Sequence, residues 1–414
     1  MKKKLTMIVV LLLALTLCTG LVGCGDSAEP VPAVSASDVK APAEPAAETP
    51  AAEPAAEAPE TPEKPEEPEE KLTFGFGLEE NFEETEELDE NPDRAITRAT
   101  TPILQNVVTK LDGTCTRSEV YLYRSVLSET QKQAYDLIRA GLAEGKTEIQ
   151  MTVPITKDEV KQIFRAVFYD GPDLFWVDGS YSFAYNNYGN ITKVKPKYND
   201  LAKDIPGNRT KFEQAVSEAL ADMWSLSDPT AQVKYAHDYL TSTIDYDINA
   251  VYNQTAYSAL VNKKSVCAGY SRAFQYMMQK MDVPCGYITG TATSAGYSGS
   301  HAWNIVELGG EYYAMDTTWD DPVGAKAGKF YYDYFNLTDK TISADHVRGD
   351  ISTKLPAATG TAKSFAAAFG GNQYGTDFAA IQGKLPEGYG TASTAFIGAE
   401  SSTAPDTSGN PYLP

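Results

Sequence analysis

Apolar positions at helical spacing begin near residue 130. Ala134, Leu137, Ile138 and Leu142 share one face of residues 130–143, and Ser128 stands before them as a cap, which predicts a helix. Val160, Ile163, Phe164 and Val167 repeat that spacing after Thr156 or Asp158 and predict a second. Residues 174–177 and 181–185 read as strands, followed by a short strand at 191–194. Amphipathic helices follow at 211–223 and 231–243, the latter with Val233, Ala236, Tyr239 and Leu240 inward. Phe274, Met277, Met278 and Met281 form one buried stripe of a helix that begins at Cys267 and ends at Asp282 and Pro284. Residues 283–291, 301–308 and 311–317 alternate as strands. Gly309-Gly310 between the last two is a two-residue hairpin turn.

Outside this stretch the pattern fails. Residues 24–98 are rich in Ala, Pro and Glu and cannot bury enough surface to offset the entropy of ordering, so they read as a disordered linker. Residues 99–227 are expected to form an α+β extension and 228–350 a second domain. Residues 351–414, rich in Gly, Ala, Ser and Thr, read as a low-complexity tail. At the N-terminus, Lys2–Lys4 precede a short apolar run and then Leu21-Val22-Gly23-Cys24. This resembles the lipobox of bacterial lipoproteins. The resemblance implies removal of a signal peptide at 1–23, lipid on Cys24 and a place on the outer face of the cytoplasmic membrane or cell surface.

The net charge is -21, but residues 26–99 alone hold 22 Asp or Glu against 5 Lys or Arg, so the acidity belongs mostly to the linker. No basic stripe points to nucleic acid. Of five cysteines, Cys115, Cys267 and Cys285 remain after the lipid site, an odd number that leaves at least one thiol free or paired with another molecule. A Cys115–Cys285 disulfide stays open. With no CxxC pair and three scattered histidines, neither a metal nor a cofactor is expected.

Cys267 falls in the first turn of its helix, where unpaired N–H groups and the positive dipole end favour thiolate and can bind an oxyanion. The Gly-Gly turn places Asp316 opposite Trp303 and brings His301, two residues along on the same face, within side-chain reach of it. A thiol near a His–Asp pair is what nucleophilic acyl transfer needs.

Three blocks, Ser265-Val266-Cys267-Ala268-Gly269-Tyr270-Ser271, His301-Ala302-Trp303-Asn304 and Asp316-Thr317-Thr318-Trp319, resemble the signatures of the transglutaminase-like superfamily of papain-like cysteine enzymes. The match runs over about 228–325, and Asp170-Gly171-Pro172-Asp173-Leu174-Phe175-Trp176 resembles the N-terminal extension of bacterial lipoproteins in that superfamily. The resemblance implies an α+β, papain-like core with a helix-start cysteine packed against an antiparallel sheet. It makes Cys267 the nucleophile, His301 the base and then acid, and Asp316 the orienter of the ring. Trp303 and Trp319 line the acyl-binding cleft or wall off the triad. The implied function is cysteine-dependent peptide or amide hydrolysis at the cell surface, on protein, peptide or cell-wall material. Protein cross-linking and a non-catalytic adhesion or wall-binding module are the alternatives. Gln254, Tyr257 and Asn262 are upstream polar candidates for a second oxyanion donor. His237 is expected to pack its helix, His346 to lie at the surface, and Asp320 and Asp321 to form a turn with Pro322 or bind a cation.

Overall fold

A computed structural model describes residues 78–79, 82–96, 118–294, 297–323, 329–370 and 376–377. The expected signal peptide, Cys24 and Cys115 lie outside the described residues. The upstream part comprises β1 (Glu84–Leu88), α1 (Leu122–Ser125), α2 (Glu129–Ala143), β2 (Ile149–Gln150), α3 (Lys157–Asp170), β3 (Val177–Tyr185) and β4 (Ile191–Tyr198). Capping boxes start α2 and α3, Ser128 with Gln131 and Thr156 with Glu159, so each helix begins where its first orphan N–H groups find acceptors. The apolar stripes of both are buried, apart from Leu137, which is half-buried at the edge of the core.

β1, β3, β4 and β2 form one sheet in that order, with β1 parallel to β3. The linker assigned to 24–98 is therefore too long, because Glu84–Leu88 is a strand. Its side chains are mostly exposed and carry no apolar alternation. It is held by its backbone ladder, Glu84↔Tyr181 to Leu88↔Tyr185, and by lysines that answer its acidic residues, Lys161 to Glu84 at 2.7 Å and Lys157 to Glu86 at 3.0 Å. Residues 174–176 do not extend β3 as a strand. They turn, and Trp176 buries its ring while donating Nε1–H to Leu142 O at 3.0 Å. Asp170, at the end of α3, caps α1 by accepting from the backbone N–H groups of Tyr123 and Arg124.

The second part comprises α4 (Ile205–Ala219), α5 (Pro229–Thr243), β5 (Asp245–Tyr246), β6 (Lys264–Ser265), α6 (Cys267–Lys280), β7 (Cys285–Ser294), β8 (Tyr297–Leu308) and β9 (Glu311–Met315). After these come β10 (Lys329–Phe330), α7 (Asp339–Ile342), β11 (His346–Arg348), α8 (Phe365–Phe369) and β12 (Thr376–Asp377). α4 starts earlier than its apolar stripe suggests, because Asp204 caps it at Gly207 N and a proline sits in its first turn. β11, β7, β8 and β9 form an antiparallel sheet in that order. The fold is α+β, and α6 lies against β7 and β8.

Every residue of α6 is buried. A helix buried all round must satisfy its polar side chains internally. Gln275 donates to Tyr169 O and Gln279 to Asp170 O, both at 2.9 Å, which ties α6 to the end of α3. On the opposite flank, Ser271 donates to Ala302 O and Asn304 donates to Ser271 O.

The tail drawn from residue 351 also begins too early. Ile351, Leu355, Ala358 and Phe365 are buried, and the Phe365 ring stacks on Tyr332 with centroids 3.9 Å apart. Small residues surround these few anchors, so the stretch looks featureless by composition while part of it closes the core.

Candidate active site

The β8–β9 ladder runs from Asn304↔Met315 to Leu308↔Glu311, and Gly309 and Gly310 both take the positive φ that the turn requires. One step past the ladder Asp316 comes level with Trp303, and the ring of His301 reaches it. His301 Nε2 and Asp316 Oδ2 are 2.7 Å apart, and both residues are fully buried. Asp316 Oδ1 accepts from the backbone N–H groups of Thr318 and Trp319, so a tight turn aims the carboxylate at the ring. Because Nε2 serves Asp316, Nδ1 is the ring nitrogen directed away from the carboxylate.

Cys267 is the first residue of α6. Backbone N–H groups of Ala302 and Ala268 face its sulfur, and the N–H of Cys267 itself adds to the field that favours thiolate. Ala302 follows His301, so the thiol lies beside the strand that carries the imidazole. The thiol departs from expectation in its acidity. Complete burial pushes it up to about 12, and the N–H groups that favour thiolate do not outweigh that desolvation. Burial likewise lowers His301, against the pull of Asp316. Asp316 is pushed up by burial, yet His301 and His346 together hold it well below the usual carboxylate range. The resting site therefore holds a neutral thiol, a neutral His301 and a charged Asp316.

The model of the transglutaminase-like superfamily matches residues 218–317, which span the thiol, the imidazole and the carboxylate. Residues 218–317 form a transglutaminase-like domain. Its sequence is similar to kyphoscoliosis peptidase of Homo sapiens, 26% identical over 153 residues, and to that of Mus musculus, 24% identical over 153 residues. Each match covers 33% of this chain and 23% of the relative, so the chain spans about a quarter of these proteins' length. Among solved structures, a crystal structure of a TGase aligns at 13% identity with a TM-score of 0.24, over 41% of this chain and 50% of that one. The periplasmic domain of TgpA from Pseudomonas aeruginosa aligns at 13% identity with a TM-score of 0.22, over 32% and 55%.

Within this transglutaminase-like domain, Trp303 and Trp319 are buried, with ring centroids 6.1 and 5.3 Å from His301. His346 is not at the surface. It is buried, and its Nε2 lies 3.1 Å from Asp316 Oδ2, the same oxygen that His301 holds. β11 carries it there by pairing with β7, His346 opposite Ala292. Donor atoms of His301, Asp316 and His346 all fall within 4.8 Å of one another, a spacing open to a metal ion. Two N–H donors converging on one carboxylate oxygen account for it by hydrogen bonding.

The upstream candidates for an oxyanion donor part company. Tyr257 packs against Phe175 and Phe212, Asn262 is exposed, and Gln254 accepts from Glu79 N. The residue beside the helix mouth is Tyr246, whose side chain takes a hydrogen bond from the backbone N–H of Cys267. β5 places it there, since Tyr246 pairs with Ser265 two residues before the thiol. The sequence signal is weak, a Tyr in a two-residue strand. His237 packs α5 as expected and is held by Asp238 and Asp320, each at 3.0 Å. Asp320 also accepts from Tyr334 N and Asp321 from the Tyr270 hydroxyl, so both acids are engaged within the protein. Cys285 is a free, buried thiol. A cavity of about 180 Å³ lies on the other side of the α6 start, lined by Phe82, Phe168, Gln254, Ala268 and Arg272 among others. It reaches the residue next to the thiol but none of the triad itself.

Proposed function

We propose that the chain is an exported, lipid-anchored cysteine enzyme that hydrolyses peptide or amide bonds at the cell surface. The observation that carries this reading is the 2.7 Å contact of His301 with Asp316, made beside a helix-start sulfur that backbone N–H groups already address. The Cys267 sulfur attacks a carboxamide or peptide carbonyl and gives its proton to His301 Nδ1. Backbone N–H groups at the helix start hold the oxyanion. His301 then protonates the leaving amine as the C–N bond breaks. Water, deprotonated by His301, cleaves the thioester. Hydrolysis needs water alone, whereas cross-linking needs a lysine or other amine as acceptor.

The test is incubation of the purified protein with peptide libraries, with and without an amine, read by mass spectrometry. Hydrolysed peptide and an acyl adduct on Cys267, both lost in Cys267→Ser, support the reading. Products found only with the amine make the protein a transglutaminase instead. The complete burial of Cys267 favours a second reading, a non-catalytic binding module that keeps the triad. A thiol-reactive probe separates them: equal, slow labelling of Cys267 and Cys285, unaffected by His301→Ala, sinks the enzyme and leaves the module.

A further inference from the structure

The sheet brings a second histidine to the carboxylate that orients His301. His346 Nε2 lies 3.1 Å from Asp316 Oδ2, and His346 Nδ1 lies 2.5 Å from Asp345 Oδ1. Asp345 is fixed in turn by the Tyr334 hydroxyl, which donates to its Oδ2 at 2.7 Å. The imidazole of His346 is walled by Trp319 at 4.4 Å, Trp303 at 4.9 Å and His301 at 5.3 Å between ring centroids. Ala292 faces it from β7 and offers no charge. A ring with a carboxylate on each nitrogen donates from both and is an imidazolium.

We propose that His346 is a positioning residue for the nucleophilic site, anchoring Asp316 and joining Asp345, His346, Asp316 and His301 into one hydrogen-bonded chain. This rests on the reading of Cys267 as a nucleophile served by His301. Two consequences follow. Asp316 cannot swing away from His301, because its Oδ2 is held from both sides and its Oδ1 by the turn at Thr318 and Trp319. The cationic ring also compensates part of the Asp316 charge, so His301 is pulled less strongly towards its protonated form. The directions agree: burial lowers both rings, but Asp316 and Asp345 lift His346 above the usual imidazole value, while His301 stays below it with His346 among the causes.

The test needs no natural substrate. The protein is alkylated with iodoacetamide from about pH 5 to about pH 9, and Cys267 and Cys285 are read separately by mass spectrometry. With neutral His301 as the base, Cys267 alkylation rises with pH through the His301 titration. His301→Ala is expected to slow Cys267 by about a hundredfold. His346→Gln, which keeps an N–H for Asp316 without the charge, is expected to move the midpoint up by about half to one pH unit. Asp345→Asn tests the outer end. Because Asp345 also pulls His301 towards its protonated form directly, that variant reports two opposed effects, and His346→Asn, which removes only the ring and its charge, is expected to move the midpoint up as His346→Gln does and decides the matter if His346→Gln fails to fold. Midpoints of the His346 variants that stay at the wild-type value or move down overturn the inference, even where the rate falls uniformly, while a slow His301→Ala leaves the enzyme reading intact. If His301→Ala itself overlays the wild type, both readings fall.

Discussion

The side-chain amide of Asn304 in β8 donates to Ser271 O in α6 at 2.9 Å, and the Ser271 hydroxyl donates back across the same gap to Ala302 O at 2.9 Å. These two bonds set the height of α6 against the strand that carries His301. Asn304→Ala leaves a buried carbonyl short of a donor, so a stability loss of about 1–3 kcal/mol is expected in urea unfolding. Cys267 alkylation should fall as well. Unchanged alkylation alongside lowered stability would show that the helix height is set elsewhere.

Asp316→Asn keeps the shape and removes the charge. By analogy with triads in which the orienting acid becomes an amide, turnover should fall by about 10⁴-fold. The stability effect has a defined pH window. The folded carboxyl lies below its ordinary value, so its contribution is complete above about pH 5 and is lost as pH falls through the depressed folded value. Urea titrations at about pH 7 and about pH 3 should show the gap between wild type and variant shrinking in acid. A gap that widens in acid contradicts the assignment.

Asp170 has the opposite sign. Burial pushes its carboxyl up to about 7, despite hydrogen bonds from Arg124, Tyr123 and Tyr135. Between about pH 4 and about pH 7 the folded chain keeps a proton that the unfolded chain has released, so stability falls as pH rises, by up to a few kcal/mol from this group. Asp320 and Asp321, pushed up to about 7 and about 8 by burial, add to the same slope. Asp170→Asn should flatten the slope in part. Equal slopes for wild type and variant would show that Asp170 is charged throughout.

Gly290 lies between His301 on β8 and Arg348 on β11. A Cβ there would come within 2.1 Å of the Val347 carbonyl oxygen and 2.8 Å of the Trp303 ring, so β11 must move away. Gly290→Ala should cost about 1–3 kcal/mol and slow Cys267 alkylation by displacing His346. A variant with wild-type stability and alkylation would show that β11 is free to shift.

Phe365→Ala removes a ring stacked on Tyr332 and should cost about 3–5 kcal/mol in thermal or urea unfolding. Ending the chain at residue 350 should be at least as damaging. A truncated protein that melts with the full chain would return this segment to the status of a tail.

The approach of His301 to Asp316 was legible because two strong local signals coincide there. Gly309-Gly310 admits one hairpin geometry, and the strict alternation around His301 and Asp316 permits one register. The capped helices were legible for a similar reason, since Ser128 and Thr156 stop the chain at definite points. β1 was hidden because its side chains face water and its hold is a backbone ladder that no residue pattern encodes. His346 was hidden because it lies 30 residues past Asp316 on a three-residue strand, too short to show a period. The acidity of Cys267 was misjudged because the helix mouth can be read from position, whereas desolvation depends on what the rest of the chain lays over it.

Gln275 and Gln279 give the thiol-bearing helix a debt to residues more than a hundred positions upstream. Were this half of the protein grafted onto another ancestor, both amides would arrive facing nothing. Lineages that shuffle such modules should thus inherit the front layer and the thiol layer as one piece, and a natural chimaera joined between them should carry apolar replacements at both positions.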